Sequence, residues 1–192
     1  SAASDVYKRQ LDNLPKPVNY LNADPGLSQQ WLNYFGPKTR MRVGFSWSGR
    51  RDNWLNQHKG MPFEQIVALI QANPQHEWIN LQADCTAEEE GALKTIGVHC
   101  LPPNPNMWAD TAAQMMHMDV VISVDTAVAH LASALGRPTW IMLNWFSTDW
   151  RWLLNRDDSP WYSTARLFRQ PAMGDWASVV KKVSQYLSWF KV

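Results

Sequence analysis

Asp125, Thr126 and Ala127 stand at the point in this chain where residue types and spacing best suggest chemistry. The apolar run Val120–Val124 leads straight into Asp125-Thr126, and a small-residue stretch, Ala127–Leu135, follows with Gly136 behind it. A buried strand turning directly into a helix aims a helix N-terminus at the carboxyl edge of a sheet. Its unpaired N–H groups and partial positive charge favour an anion. One of Asp125 and Thr126 is expected to N-cap that helix. The Thr126 hydroxyl and the N–H groups of Thr126 and Ala127 would then grip a phosphate. A carboxylate repels such a ligand, so Asp125 is expected to cap the turn or to accept hydroxyl groups. His130, one turn in, reads first as a packed helix residue and second as a site residue.

A second loop has matching chemistry. It reads Ser46-Trp47-Ser48-Gly49-Arg50-Arg51 and continues through Asn53 to His58-Lys59-Gly60. Small hydroxyl residues and Gly49 let backbone approach phosphate oxygens, and cationic side chains neutralise them. Neither the dinucleotide glycine fingerprint nor a P-loop is present. Lys59, just ahead of a Pro-started helix, is the expected diphosphate partner. Asn80 and Gln82, at the end of another strand, are candidates for ribose or sugar hydroxyls. Pro102–Asn106 is a candidate for holding a base through backbone groups. Trp140, Trp145, Trp150, Trp152 and Trp161 crowd one region; most should be core, and one is a candidate to stack on a ligand. Cys85 and Cys100 have neither metal-ligand spacing nor a disulfide framework, which fits a reducing compartment; no metal or cofactor is expected.

The elements that must position these residues alternate. Met41–Ser46, Glu77–Leu81, Gly97–Leu101, Val120–Val124, Thr139–Leu143 and Ala165–Phe168 read as strands. Helices are expected between them: from Pro62, with Phe63, Ile66, Val67 and Ile70 on one face; from the Thr86-x-x-Glu89 capping box to about Thr95; over Trp108–Met116; and over Ala127–Leu135. A last helix starts at Gly174-Asp175. The fold class is therefore α/β, a doubly wound parallel sheet of about six strands. Residues 1–10 read as a tag or leader. Residues 11–40 read as a helical extension, the remnant of an interdomain region, with a helix begun by Asp24-Pro25 and stopped by Gly36-Pro37. Residues 41–192 read as one α/β domain.

The 192 residues carry a formal net charge of +1, which gives no basic footprint for nucleic acid. No apolar run is long enough to span a membrane, and no secretory signal appears, so a cytoplasmic location is expected. Twelve Trp in a chain with 18% charged residues imply aromatic surface that faces another domain.

Together the segments Val43–Gly49, Lys59–Pro62, Asn80–Gln82, Trp108–Ala112, Ser123–Ala132, Asp149–Leu154, Asp158–Tyr162 and Leu167–Pro171 resemble the C-terminal half of GT-B glycosyltransferases. They look closest to the heptosyltransferase-like (family 9) domains at the end of bacterial tetratricopeptide-repeat proteins. The likeness runs from about Leu14 to Phe190. It implies the donor-binding half of an inverting glycosyltransferase, with Ser46, Ser48 and Lys59 on the diphosphate of a nucleotide sugar and Asp125, Thr126 and Ala127 at the helix start. Ala127 stands where the resemblance implies Gly. The catalytic base and the acceptor site would belong to an N-terminal domain that this chain lacks, so catalysis by the chain alone is not expected. The alternative is a non-catalytic module of the same fold that binds protein or glycan.

Overall fold

The computed structural model describes residues 19–49, 59–102, 107–146 and 148–190. Residues 1–10, the basic positions Arg50 and Arg51, Asn53, His58, and residues 103–106 lie outside them. In chain order the elements are α1 (Pro25–Phe35), β1 (Arg42–Ser46), α2 (Phe63–Gln71), β2 (Glu77–Asn80), α3 (Ala87–Thr95), β3 (His99–Cys100) and α4 (Met107–Met115). There follow β4 (Val120–Val124), α5 (Ala127–Ala134), β5 (Thr139–Leu143), a 3-10 turn (Trp150–Trp152), β6 (Ala165–Arg169) and α6 (Trp176–Trp189).

All six strands are parallel, in the order β3-β2-β1-β4-β5-β6. Strands β1, β4 and β5 are buried along their whole length, because helices cover both faces of such a sheet. Alternate residues serve opposite layers. Val120, Ile122 and Val124 of β4 join Val43, Phe45, Ile66, Val179 and Val183 on one face. Val121 joins Met115, Met118, Ala132 and Leu135 on the other. Gly44 in β1 is closely packed: a Cβ there would lie 2.7 Å from Leu81 Cδ1 and 3.0 Å from Met118 Cγ, so both side chains would have to shift to admit one.

Local signals decide most boundaries. Asp24 caps α1 by accepting from Leu27 N at 2.8 Å, and Gly36 ends that helix at φ 65°. The Thr86/Glu89 capping box is formed in both directions. The third strand is shorter than the expected Gly97–Leu101. It lies at the sheet edge, pairs with β2 alone, and runs into Pro102-Pro103, which have no N–H to offer.

Residues 19–40 pack into the same unit as the sheet. Trp31 Nε1 donates to Asp110 Oδ1 of α4 at 2.9 Å, and His117 Nε2 donates to Ser28 O at 2.8 Å. The Arg42 guanidinium donates to Phe35 O and Gly36 O, and its Nε pairs with Glu77 at 2.8 Å. Among the described residues no helix is long and apolar enough to cross a membrane.

Candidate functional site at the carboxyl ends of β1 and β4

Strand order reverses between β1 and β4: from β1 the chain builds outward to β2 and β3, and from β4 outward to β5 and β6. Loops leaving the carboxyl ends of these two strands diverge to opposite sides and open a crevice, where ligands of doubly wound sheets bind. Both loops singled out in the sequence emerge there. Ser46 and Ser123, the last or next-to-last residues of the two strands, are register partners.

The β1 loop is braced by Gln82. Its Oε1 accepts from Ser46 Oγ at 2.7 Å and from the Trp47 and Ser48 N–H groups at 3.1 Å each. Its Nε2 donates to Ser48 Oγ at 3.0 Å and also to Asp84. Gln82 N in turn donates to Asn80 Oδ1 at 2.9 Å. The amide expected to meet sugar hydroxyls is thus engaged in shaping the turn. Ser46 gives its proton to Gln82, whereas Ser48 Oγ accepts one from the Gln82 amide. The far end of the loop returns to the same place, with Met61 N donating to Trp47 O at 2.8 Å, which sets Lys59 and Gly60 beside the crevice. Gly49 closes the described part of the loop at its near end.

At the β4 end, Thr126 is the N-cap of α5, and no side chain caps that helix. The expectation that Asp125 caps the turn is therefore corrected. Thr126 Oγ1 lies 3.1 Å from Ser123 Oγ. Asp125 is instead a buried hub. Its Oδ1 accepts from Trp152 Nε1 at 2.8 Å, and its Oδ2 accepts from Lys59 Nζ at 3.2 Å and from Asp149 N at 3.1 Å. A carboxylate leaves water only when hydrogen bonds and a counter-charge replace it, and all three donors serve that end.

His130 is held by packing. Its ring stacks on Trp152 at 5.0 Å and 20°, Nδ1 lies 3.1 Å from Tyr162 Oη, and Nε2 lies 3.8 Å from Asp125 Oδ1. Burial pushes its proton affinity below the ordinary histidine value, only partly opposed by Asp125, so the ring is neutral at pH 7. Burial, with the neighbouring Tyr20 hydroxyl at 3.3 Å, also pushes the Tyr162 phenol up.

Asp149, Trp152 and Tyr162 carry this arrangement and were not among the site residues expected from sequence. The available signal was the segment Asp149-Trp150-Arg151-Trp152, whose tryptophans pointed to packing. Asp149 caps the 3-10 turn through Arg151 N at 2.9 Å and grips the Arg151 guanidinium with both oxygens. Burial by itself would raise the Asp149 carboxyl, but the hydrogen bonds from Arg151 hold it below the usual value. Arg151 lies 4.4 Å over the Trp150 ring. Of the five clustered tryptophans, Trp140 and Trp152 are core, while Trp145 and Trp150 are each 57% exposed.

From Gln82 a cavity of about 650 Å³ extends along the carboxyl ends of β2 and β3, lined by Asn80, Gln82, Cys85, Leu101, Pro102 and Thr111 among others. Both cysteines are free thiols, and burial pushes Cys85 up to about 11. Among the described residues no group of three His, Cys, Asp or Glu side chains converges as a metal site.

Comparison with known proteins fits this geometry. No protein-family model matches the chain. Protein FlbA of Caulobacter vibrioides is 28% identical over 184 residues, which make up 92% of this chain but only 30% of that protein. The E. coli ADP-heptose lps heptosyltransferase II superposes with a TM-score of 0.62 at 16% identity, over 94% of this chain and 56% of its own. E. coli heptosyltransferase WaaC with ADP gives a TM-score of 0.57 at 20% identity, over 88% of this chain and 50% of its own. The chain thus spans about half the length of these glycosyltransferases and, over that span, has the heptosyltransferase-like GT-B fold.

Proposed function

We propose that this chain is the donor-binding part of an inverting glycosyltransferase and holds a nucleotide-diphosphate sugar across the β1/β4 crevice. The observation that carries the reading is the convergence at one switch point of the Ser46–Ser48 turn, the Lys59 ammonium and the Thr126 helix start. Ser48, Lys59 and the N–H groups of Thr126 and Ala127 would bind the diphosphate. The nucleoside would enter the cavity beside Gln82, whose volume lies within the usual range for ligand pockets, about 300–1,000 Å³. In an inverting displacement at the anomeric carbon, charge develops on the leaving diphosphate. Lys59 and the α5 N-terminus would stabilise it there. Activation of the acceptor is assigned to another part of the full protein.

Calorimetric titration with UDP, GDP, ADP and CMP derivatives tests this. One of them is expected to bind, and Lys59→Ala to weaken it by about tenfold or more, as for loss of one charge-assisted contact. Failure of every nucleotide would sink the donor site; binding unchanged by the substitution would remove Lys59 from it. The exposed indoles of Trp145 and Trp150 favour a second reading, a non-catalytic module for glycan or protein. Glycan binding without nucleotide binding would support it.

A further inference from the structure

From sequence Asp125 is expected to cap the turn or to accept hydroxyl groups, yet its hydrogen bonds run inward. Its side chain is 6% exposed and takes donors from two other loops: Lys59 after β1, and the Asp149 N–H and the Trp152 indole after β5. Both oxygens are engaged. Lys59, with a side chain 22% exposed, has three ammonium protons and gives one to this carboxylate. A lysine on a flexible four-carbon stem samples many rotamers unless something holds it. Here the holder is buried and is itself held by a wholly buried tryptophan, Trp152.

We propose that Asp125 is a positioning residue: it fixes the Lys59 ammonium at the mouth of the β1/β4 crevice, and the Asp149–Trp152 turn fixes Asp125. This assignment takes its ligand, a diphosphate, from the donor-site reading above, but the placement of Lys59 is testable without any ligand. Two effects oppose each other when diphosphate arrives. The Asp125 charge repels it, and the ordering of Lys59 favours it. Lys59 and two N–H donors already offset the carboxylate, so ordering prevails.

The first arm is competitive acetylation of the folded chain with acetic anhydride, read by peptide mass spectrometry, with exposed Lys181 as the internal reference. In Asp125→Asn, Lys59 is expected to react about fivefold or more faster relative to Lys181 than in the wild type, the size of one modest ion-pair contact. Trp152→Phe keeps an aromatic side chain, though a smaller one, removes the indole donor, and should move Lys59 in the same direction by less. It also serves if Asp125→Asn does not fold. Equal Lys59 labelling in the folded variant and the wild type would overturn the proposal, whether or not any nucleotide binds. The second arm titrates a nucleoside diphosphate and the matching nucleoside against wild type, Asp125→Asn, Lys59→Met and the double variant. Asp125→Asn should weaken the diphosphate about tenfold, leave the nucleoside unchanged, and have no further effect once Lys59 is gone. Tighter diphosphate binding in Asp125→Asn, or a loss that persists without Lys59, would overturn it. A wild type that binds no nucleotide, with the labelling shift still present in the variants, would refute the donor site alone.

Discussion

At the residue scale, the candidate site is a set of polar groups whose roles depend on which partner reaches them first. Gln82 reads from sequence as a ligand contact and Asp125 as a turn cap or hydroxyl acceptor, and both spend their hydrogen bonds on the protein. His130 is the residue whose environment can be read from solution behaviour. Its proton affinity lies below the ordinary value of 6.5, chiefly because it is buried. Protonation therefore costs the folded chain more than the unfolded one. The stability from a neutral His130 is complete above pH 6.5 and is lost as pH falls below it. The urea midpoint of the wild type should drop more between pH 7.5 and pH 5.5 than that of His130→Gln. His76, also lowered by burial, contributes equally to both proteins and cancels in the comparison. Parallel midpoints would contradict this account of His130.

At the element scale, the 3-10 turn Trp150–Trp152 and helix α1 matter most, and both act through contacts distant in sequence. The turn reaches back to β4 through the Trp152–Asp125 hydrogen bond. Helix α1 is tied to α4 through Trp31 and Asp110, and to β1 through Arg42. If α1 unfolds with the sheet, Trp31→Phe should lower stability by about 1–3 kcal/mol, the cost of removing one partner from a buried hydrogen bond. It should do so within a single urea transition followed by circular dichroism. A separate early transition, or no change, would mean that α1 is an appendage. The start of α1 was legible because Asp24, Pro25 and Leu27 are neighbours in sequence. The role of Trp152 was not, because nothing near Trp152 names Asp125.

At the scale of the whole molecule, the strand order decides where function can sit. A 3-2-1-4-5-6 sheet has one reversal, and it falls between the two loops with phosphate-compatible residues. The chain covers 56% of heptosyltransferase II, so the fold it shares is only part of that protein's. We predict negligible sugar transfer by this chain alone when incubated with a nucleotide sugar and a simple acceptor, because acceptor activation is assigned elsewhere. Measurable turnover, followed by release of nucleoside diphosphate, would require a base within the chain and would reopen the role of His130.

Sequence by itself determined the alternation of strands and helices, the helix starts at Asp24, Thr86 and Asp175, and the two loops that bear Ser46, Ser48, Lys59, Asp125 and Thr126. These follow from periodicity and from hydrogen bonds between residues three or four apart, which a linear reading captures. Only the tertiary structure decided that Thr126 rather than Asp125 is the cap, that Gln82 braces the β1 turn, and that Asp125 joins Lys59 to Trp152. Those assignments turn on which of several competing donors comes within hydrogen-bond distance of one buried oxygen. The packing of three distant segments sets that distance, and no spacing along the chain encodes it.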